Sequence, residues 1–213
     1  MTVVSDTGSD AVGTGGPDQS LEEVLQAEIL RLYGEIAENP DGEFHFFHGR
    51  QAAELFDYDA AHLDAAPEGS VSSFAGVGNP HLRADLAPGE TVLDIGSGAG
   101  LDAFIAARGV GPEGRVIGID MNPAMCRKAQ THMGTAGLTM SCREGRMEEI
   151  PVEDGTVDVV ISNGVLNLSF RKGQVMREMF RVLRPGGRIS ITDIVTGREL
   201  SQNIVNDPKL WAS

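Results

Sequence analysis

One stretch constrains the fold of this chain more than any other. Val92-Leu93-Asp94-Ile95 runs straight into Gly96-Ser97-Gly98-Ala99-Gly100, and residues 101–108 follow with helical character. The apolar run reads as a buried strand and the glycines as a turn. Glycine lets backbone approach another group without a Cβ clash, so such a turn suits a ligand held against the main chain. The alternation then repeats. Strand-like runs at 115–119, 139–143, 157–162 and 188–195 are interleaved with helix-like runs at 124–136 and 172–183. That order predicts an α/β fold with a doubly wound parallel sheet. The first, fourth and fifth strands are nearly all apolar, which predicts burial on both faces. Pro185-Gly186-Gly187 is expected to break the chain between the last helix and the last strand. Ligands of such sheets bind beyond the carboxyl ends of the strands.

The glycine spacing separates the possible cofactors. A dinucleotide fingerprint requires its third glycine where this chain has Leu101. Here that glycine comes one residue earlier, as Gly100, and an acid, Asp94, precedes the turn. Asp94 would repel a pyrophosphate, but not the amino and sulfonium groups of S-adenosylmethionine. A second acid, Asp120, ends the second strand and is followed by Met121. It stands roughly 20 residues past the turn, the interval at which an acid accepts from both ribose hydroxyls. Asp is also a helix cap, and Asn122-Pro123 does open a helix.

Two further segments follow strand ends. In Glu144-Gly145-Arg146-Met147-Glu148, Met147 can pack on an adenine face and Glu148 can accept from its amino group. The other reading of Glu148 is a solvated loop carboxylate. Asn163 lies at the mouth of the sheet, where cofactor and acceptor would meet. It is equally a turn-forming Asn before Gly164.

Ahead of the sheet, Leu21, Val24, Leu25, Ile29, Leu32 and Ile36 recur at helical spacing, with Ser20 and Glu23 as a capping box. Asn39-Pro40-Asp41-Gly42 ends that helix. An aromatic stretch with His45 and His48 follows, then two short helical pieces and a glycine-containing loop to Pro80. The expected organisation is a disordered tail at 1–19, a helical lid at 20–80, a cofactor domain at 81–195 and an incomplete segment at 196–213. His45 and His48 are the best candidates for a general base or an acceptor-orienting pair, since histidine titrates near neutrality. They serve equally well as packing groups of the lid.

The chain has 213 residues, enough for one domain with a sizeable core. Its formal net charge of -14 disfavours nucleic acid and anionic lipid as partners. No apolar run reaches the length of about 20 residues that a membrane span needs. Cys126 and Cys142 are the only cysteines; they imply neither a disulfide framework nor a metal site, which fits a reducing cytoplasm.

Taken together with Arg181-Val182-Leu183-Arg184-Pro185-Gly186-Gly187, these motifs resemble class I S-adenosylmethionine-dependent methyltransferases, a Rossmann-like class, over roughly 89–195. A narrower resemblance is to arsenite methyltransferases. It rests on Asp57-Tyr58-Asp59, Pro67-Glu68-Gly69, Gly78-Asn79-Pro80, the glycine turn with Asp102, Gly118-Ile119-Asp120-Met121, and Ser162-Asn163-Gly164. Tyr33-Gly34 matches a pair that this family places near the cofactor. The resemblance implies methyl transfer from S-adenosylmethionine to a small-molecule acceptor. Asp94, Gly96, Ser97, Gly98, Gly100, Asp120, Met121, Met147, Glu148 and Asn163 would form the cofactor site, without a metal. Alternatives are another small-molecule C- or O-methyltransferase, or a non-catalytic S-adenosylmethionine-binding subunit.

The chain departs from the narrower family in its sulfur. Trivalent arsenic is held there by thiolates, as a soft centre requires. Val77 and Gly164 stand where two of those cysteines are expected, an upstream pair has no counterpart, and a later cysteine would lie past Ser213. Cys126 and Cys142 match none of these sites and read as core or surface thiols. The resemblance also implies a helix and an antiparallel hairpin after the fifth strand, for which residues 196–213 are too few. The expectation is a fragment of a longer protein whose last strand is an apolar edge, or an edge covered by another chain.

Overall fold

The computed structural model describes residues 21–40, 42, 44 and 46–197. The tail, Ser20 of the expected capping box, His45 and residues 198–213 lie outside the described residues. The elements run α1 (Leu21–Glu38), α2 (Gly49–Leu55), α3 (Ala60–Ala65), α4 (Glu68–Ser72), α5 (His81–Ala84), β1 (Thr91–Ile95), α6 (Leu101–Val110), β2 (Arg115–Asp120) and α7 (Pro123–Thr135). Then come β3 (Met140–Glu144), β4 (Val157–Asn163), a 3-10 turn (Leu166–Leu168), α8 (Lys172–Val182) and β5 (Leu183–Thr192). The five strands form one parallel sheet in the order β3-β2-β1-β4-β5. Sequence order reverses between β1 and β4, and there ligands of open α/β sheets bind.

Period-two alternation along the strands divides the core. Val92, Val116, Val159 and Ile161 face Phe104 and Ala106 of α6, and Tyr58, Leu63 and Phe74 from the segment before the sheet. Leu93, Ile95, Ile117, Ile119 and Val160 face Val175, Met179 and Val182 of α8, and Val157 joins them across the irregularity between Val157 and Val159. Each fully buried aliphatic side chain contributes about 1.5–3 kcal/mol. The two layers therefore pack β1 and β4 from both faces and so position the strand ends at Gly96 and Asn163. Asn122 opens α7 by accepting from the Ala124 N–H, and Pro123 follows in the first turn, where its missing donor costs nothing.

Two expectations for the last strand are corrected. It begins at Leu183, not at residue 188, and Pro185-Gly186-Gly187 lies inside it rather than between elements. Leu183 pairs with Val157 and Arg188 with Val159, so the Pro-Gly-Gly residues are a bulge, with Gly186 at φ +85°. Nor is β5 buried on both faces. Only Ser190 on it is buried, because β5 is an edge of the sheet among the described residues, and an edge has a neighbour on one side only. No helix among the described residues is long and apolar enough to cross a membrane.

Candidate active site

The carboxyl ends of β1, β2 and β4 open into a cavity roofed by α1 and the loop after α4. Its floor is the glycine turn. The Gly96 and Ser97 N–H groups both donate to the Ile119 carbonyl, at 2.8 and 3.0 Å, which ties the turn to the end of β2. Gly96 has φ +70°, and a Cβ there would stand 2.4 Å from a Val165 methyl. Position 96 therefore requires glycine for its backbone and for its space.

Asp120 forms the next wall. Its Oδ2 accepts from the Gly98 N–H at 2.9 Å and its Oδ1 from the Asn122 N–H at 2.8 Å. Burial pushes this carboxyl up, and the Asn122 and Gly98 N–H groups pull against it. Each oxygen keeps a second lone pair, so the carboxylate can still accept from a diol. Tyr33 of α1 also lines the cavity; burial, Asp120 and Asp193 push its phenol up to about 12, so it stays a neutral donor. Met121, Met147 and Glu148 also line the cavity. Ser169 Oγ donates to Glu148 Oε1 at 2.5 Å, and Arg146 stands 3.4 Å from Oε2.

Of the residues expected here, Gly96, Ser97, Gly98, Asp120, Met121, Met147, Glu148 and Asn163 line the cavity, whereas Asp94 and Gly100 do not. Gly100 packs instead against α7, where a Cβ would lie 3.2 Å from that of Ala129. Asp94 is 2% exposed and accepts from the Ala103 N–H in the first turn of α6. Burial, then Asp102, then Asp120 push its carboxyl well above the usual carboxylate range. Its Oδ2 has no hydrogen-bond partner among the described residues.

Asn163 has more partners than a turn residue needs. Its Oδ1 accepts from the Val77 and Gly78 N–H groups at 2.9 and 3.2 Å and from Thr192 Oγ1 at 2.9 Å. The two hydrogens of its Nδ2 are shared among the Gly78 carbonyl, Asp102 Oδ2 and Tyr58 Oη, at 2.9, 3.1 and 3.1 Å. Asp102 Oδ1 also accepts from Tyr58 Oη at 2.5 Å and lies 2.9 Å from His81 Nε2. Residues 76–79 are thereby fastened to β4, β5 and α6 through one buried cluster. Sequence reasoning did not assign this cluster. Its only signal was that Tyr58, Asp102 and Asn163 all fall inside the motifs of the narrower resemblance.

His48 is not brought to the cavity. It sits before α2 with Phe44 edge-on at 5.0 Å, and it lines a separate aromatic depression. The histidine behind the glycine turn is His132, whose Nδ1 lies 2.9 Å from Ser70 Oγ and 3.1 Å from the Ala99 carbonyl. Burial holds His132 below its usual value.

A buried strand, a glycine turn and an acid at the next strand end, around a cavity at the sheet's switch point, define a cofactor-binding α/β protein of the Rossmann-like class. The chain belongs to the methyltransferase domain family, whose model matches residues 86–213. It is 44% identical over 157 residues to an arsenite methyltransferase of Halobacterium salinarum, covering 73% of this chain and 40% of that protein. An arsenite methyltransferase of Aquipseudomonas alcaligenes is 36% identical over 134 residues, 59% of this chain and 39% of that protein. Among solved structures, an arsenic (III) S-adenosylmethionine methyltransferase from Chlamydomonas reinhardtii superimposes with a TM-score of 0.58 at 35% identity, covering 78% of this chain and 55% of that one. The chain thus spans about two fifths of the length of the curated relatives it matches.

Proposed function

We propose that this chain transfers the methyl group of S-adenosylmethionine to a small-molecule acceptor. The observation that carries the reading is the Asp120 carboxylate, held by the Gly98 N–H on a cavity wall between the glycine turn and Met147. The donor set suits this cofactor. Asp120 accepts from ribose hydroxyls, Met147 supplies a polarisable face for adenine, and Glu148 supplies the acceptor at its edge. Asp102 and Asp120 line a cavity whose acidity favours a sulfonium cation. Gly96 and Gly98 let the main chain approach. Asp94 acts at one remove, through the first turn of α6.

When bound, the cofactor supplies an electrophilic methyl group on positively charged sulfur. The protein's part is alignment and the exclusion of water. Asn163, itself on the cavity lining, holds residues 77–78 next to Ala75 and Gly76, which also line it. The acceptor chemistry departs from the arsenite methyltransferases. Val77 and Gly164, the expected thiol positions, do lie together: a Cβ on Gly164 would stand 3.3 Å from the Val77 methyls. Both are apolar, so this contact offers no soft ligand to trivalent arsenic.

A second reading, cofactor binding without transfer inside a larger assembly, draws on open apolar groups next to β5 and on α8. Phe180 is 80% and Val195 is 91% exposed. Calorimetric titration with S-adenosylmethionine and S-adenosylhomocysteine tests the main reading, using wild type and Asp120→Ala. Binding that the substitution weakens by about 1–3 kcal/mol is expected. Methyl transfer over an acceptor panel then separates enzyme from binder. Equal affinity of both proteins would remove Asp120 from the site.

A further inference from the structure

The two cysteines, read from sequence as core or surface thiols, stand directly behind the cavity wall. Cys126 lies in the first turn of α7 and Cys142 on β3, and both belong to one small buried cluster with Ala129 and Met140. Cys126 Sγ donates to the Asp120 carbonyl at 3.8 Å. Cys142 Sγ lies 3.8 Å from Ser97 Oγ. Asp120 and Ser97 both line the cavity, so each thiol is one residue away from it. The two side chains are packed together in that cluster. In the whole chain no other cysteine competes for either one.

We propose that Cys126 and Cys142 are an oxidisable dithiol, which a hydroperoxide closes to a disulfide that deforms the cofactor wall. The two sulfurs differ in the way this chemistry needs. Contact with Cys142 holds the Cys126 thiol below its usual value, against burial and the charges of Asp120 and Glu144. Its place in the first turn of α7 acts in the same direction. The Cys142 thiol is pushed up by the same contact and by burial. Cys126, at the N-terminal turn of α7, is the attacking thiolate, and Cys142, on β3, the resolving thiol.

Cys126 sulfur attacks one peroxide oxygen; an S–O bond forms and the O–O bond breaks. The departing oxygen takes up a proton and leaves as water or an alcohol. Cys142 sulfur then attacks Cys126 sulfur, the S–S bond forms, and the S–O bond breaks with loss of water carrying the Cys142 proton. Two thiols and one hydroperoxide give one disulfide, one alcohol or water, and one water. A disulfide brings sulfur atoms to about 2 Å. It therefore draws Cys142 from Ser97 and Cys126 from the Asp120 carbonyl, moving the glycine turn and the second-strand acid relative to each other.

The test treats the full chain with hydrogen peroxide and reads intact mass, peptide linkage and S-adenosylmethionine affinity, before and after dithiothreitol. Supporting results are the loss of two hydrogens without dimerisation, a peptide joining Cys126 to Cys142, and an affinity weakened about tenfold or more that reductant restores. Cys126→Ser is expected to form no link. Both thiols still titratable after peroxide, oxygen addition without a link, or a link between two chains would overturn the proposal. A link that leaves affinity unchanged would overturn its action on the wall. The affinity readout rests on the cofactor assignment above, but the linkage does not: reduced protein that ignores S-adenosylmethionine sinks that assignment alone.

Discussion

Tyr58 donates its phenolic proton to Asp102 at 2.5 Å, joining the segment before the sheet to the first turn of α6. Both residues are buried, and burial with the Asp102 charge pushes the phenol far above its usual value. The bond is therefore a neutral donor to a carboxylate in a water-poor setting, stronger than a neutral pair. Tyr58→Phe keeps the ring against Phe74 and removes only this donor and the acceptor for Asn163. A loss of about 1.5–3 kcal/mol is expected in denaturant unfolding. Cofactor affinity should fall as well, because Asn163 loses a partner and residues 76–79 lose part of their anchorage. Unchanged stability would mean that Asp102 is satisfied without Tyr58.

Asp94 makes stability depend on pH in a direction opposite to that of an ion-paired carboxylate. Burial, followed by the charges of Asp102 and Asp120, raises its folded value, and the Ala103 N–H only partly opposes this. Above the unfolded value of about 4, the folded chain holds a proton that the unfolded chain has released. The folded state then binds more protons, so stability falls as pH rises through this window. Asp94→Asn should flatten that part of the profile. Unfolding midpoints of both proteins, measured from the ordinary carboxylate range up to neutrality, check it; parallel profiles would assign the slope to another group.

Arg188 fastens the edge strand to the approach of β1. Its two terminal nitrogens reach the two Glu90 oxygens at 2.7 Å each, and its Nε donates to the Ala84 carbonyl at 2.6 Å. Arg188 first, and then the Ala87 N–H, hold the Glu90 carboxyl below its usual range against burial. This stabilisation is present above the unfolded value and is lost as pH falls through the folded one. Arg188→Gln is expected to cost about 1–2 kcal/mol, less than a fully desolvated pair because the guanidinium is part-exposed. It should also remove the acid-side loss attributable to Glu90. Denaturation at neutral and acidic pH reads both effects.

Much of the cofactor half was legible in the chain as written. Nearly continuous apolar runs marked β1 and β4, as strands covered on both faces favour. The glycine turn and Asp120 were legible because local backbone requirements admit few residue types. β5 was misread because Pro-Gly-Gly normally ends an element, and only its pairing with β4 makes it a bulge. Asp94 was placed in the cavity because strand position alone does not say which way the side chain of an acid points. It shares the face of Val92, and α6 covers that face.

The sequence by itself determined a methyltransferase-like sheet, a glycine turn at the end of its first strand and an acid at the end of its second. These depend on contacts within a few residues, where propensity and pattern act directly. Only the tertiary structure decided that Tyr58, Asp102, His81 and Asn163 meet in one cluster, that Val77 faces Gly164, and that Cys126 stands beside Cys142. Those pairings join residues distant along the chain. Their partners are selected when the two faces of the sheet are covered and buried polar groups must find donors and acceptors.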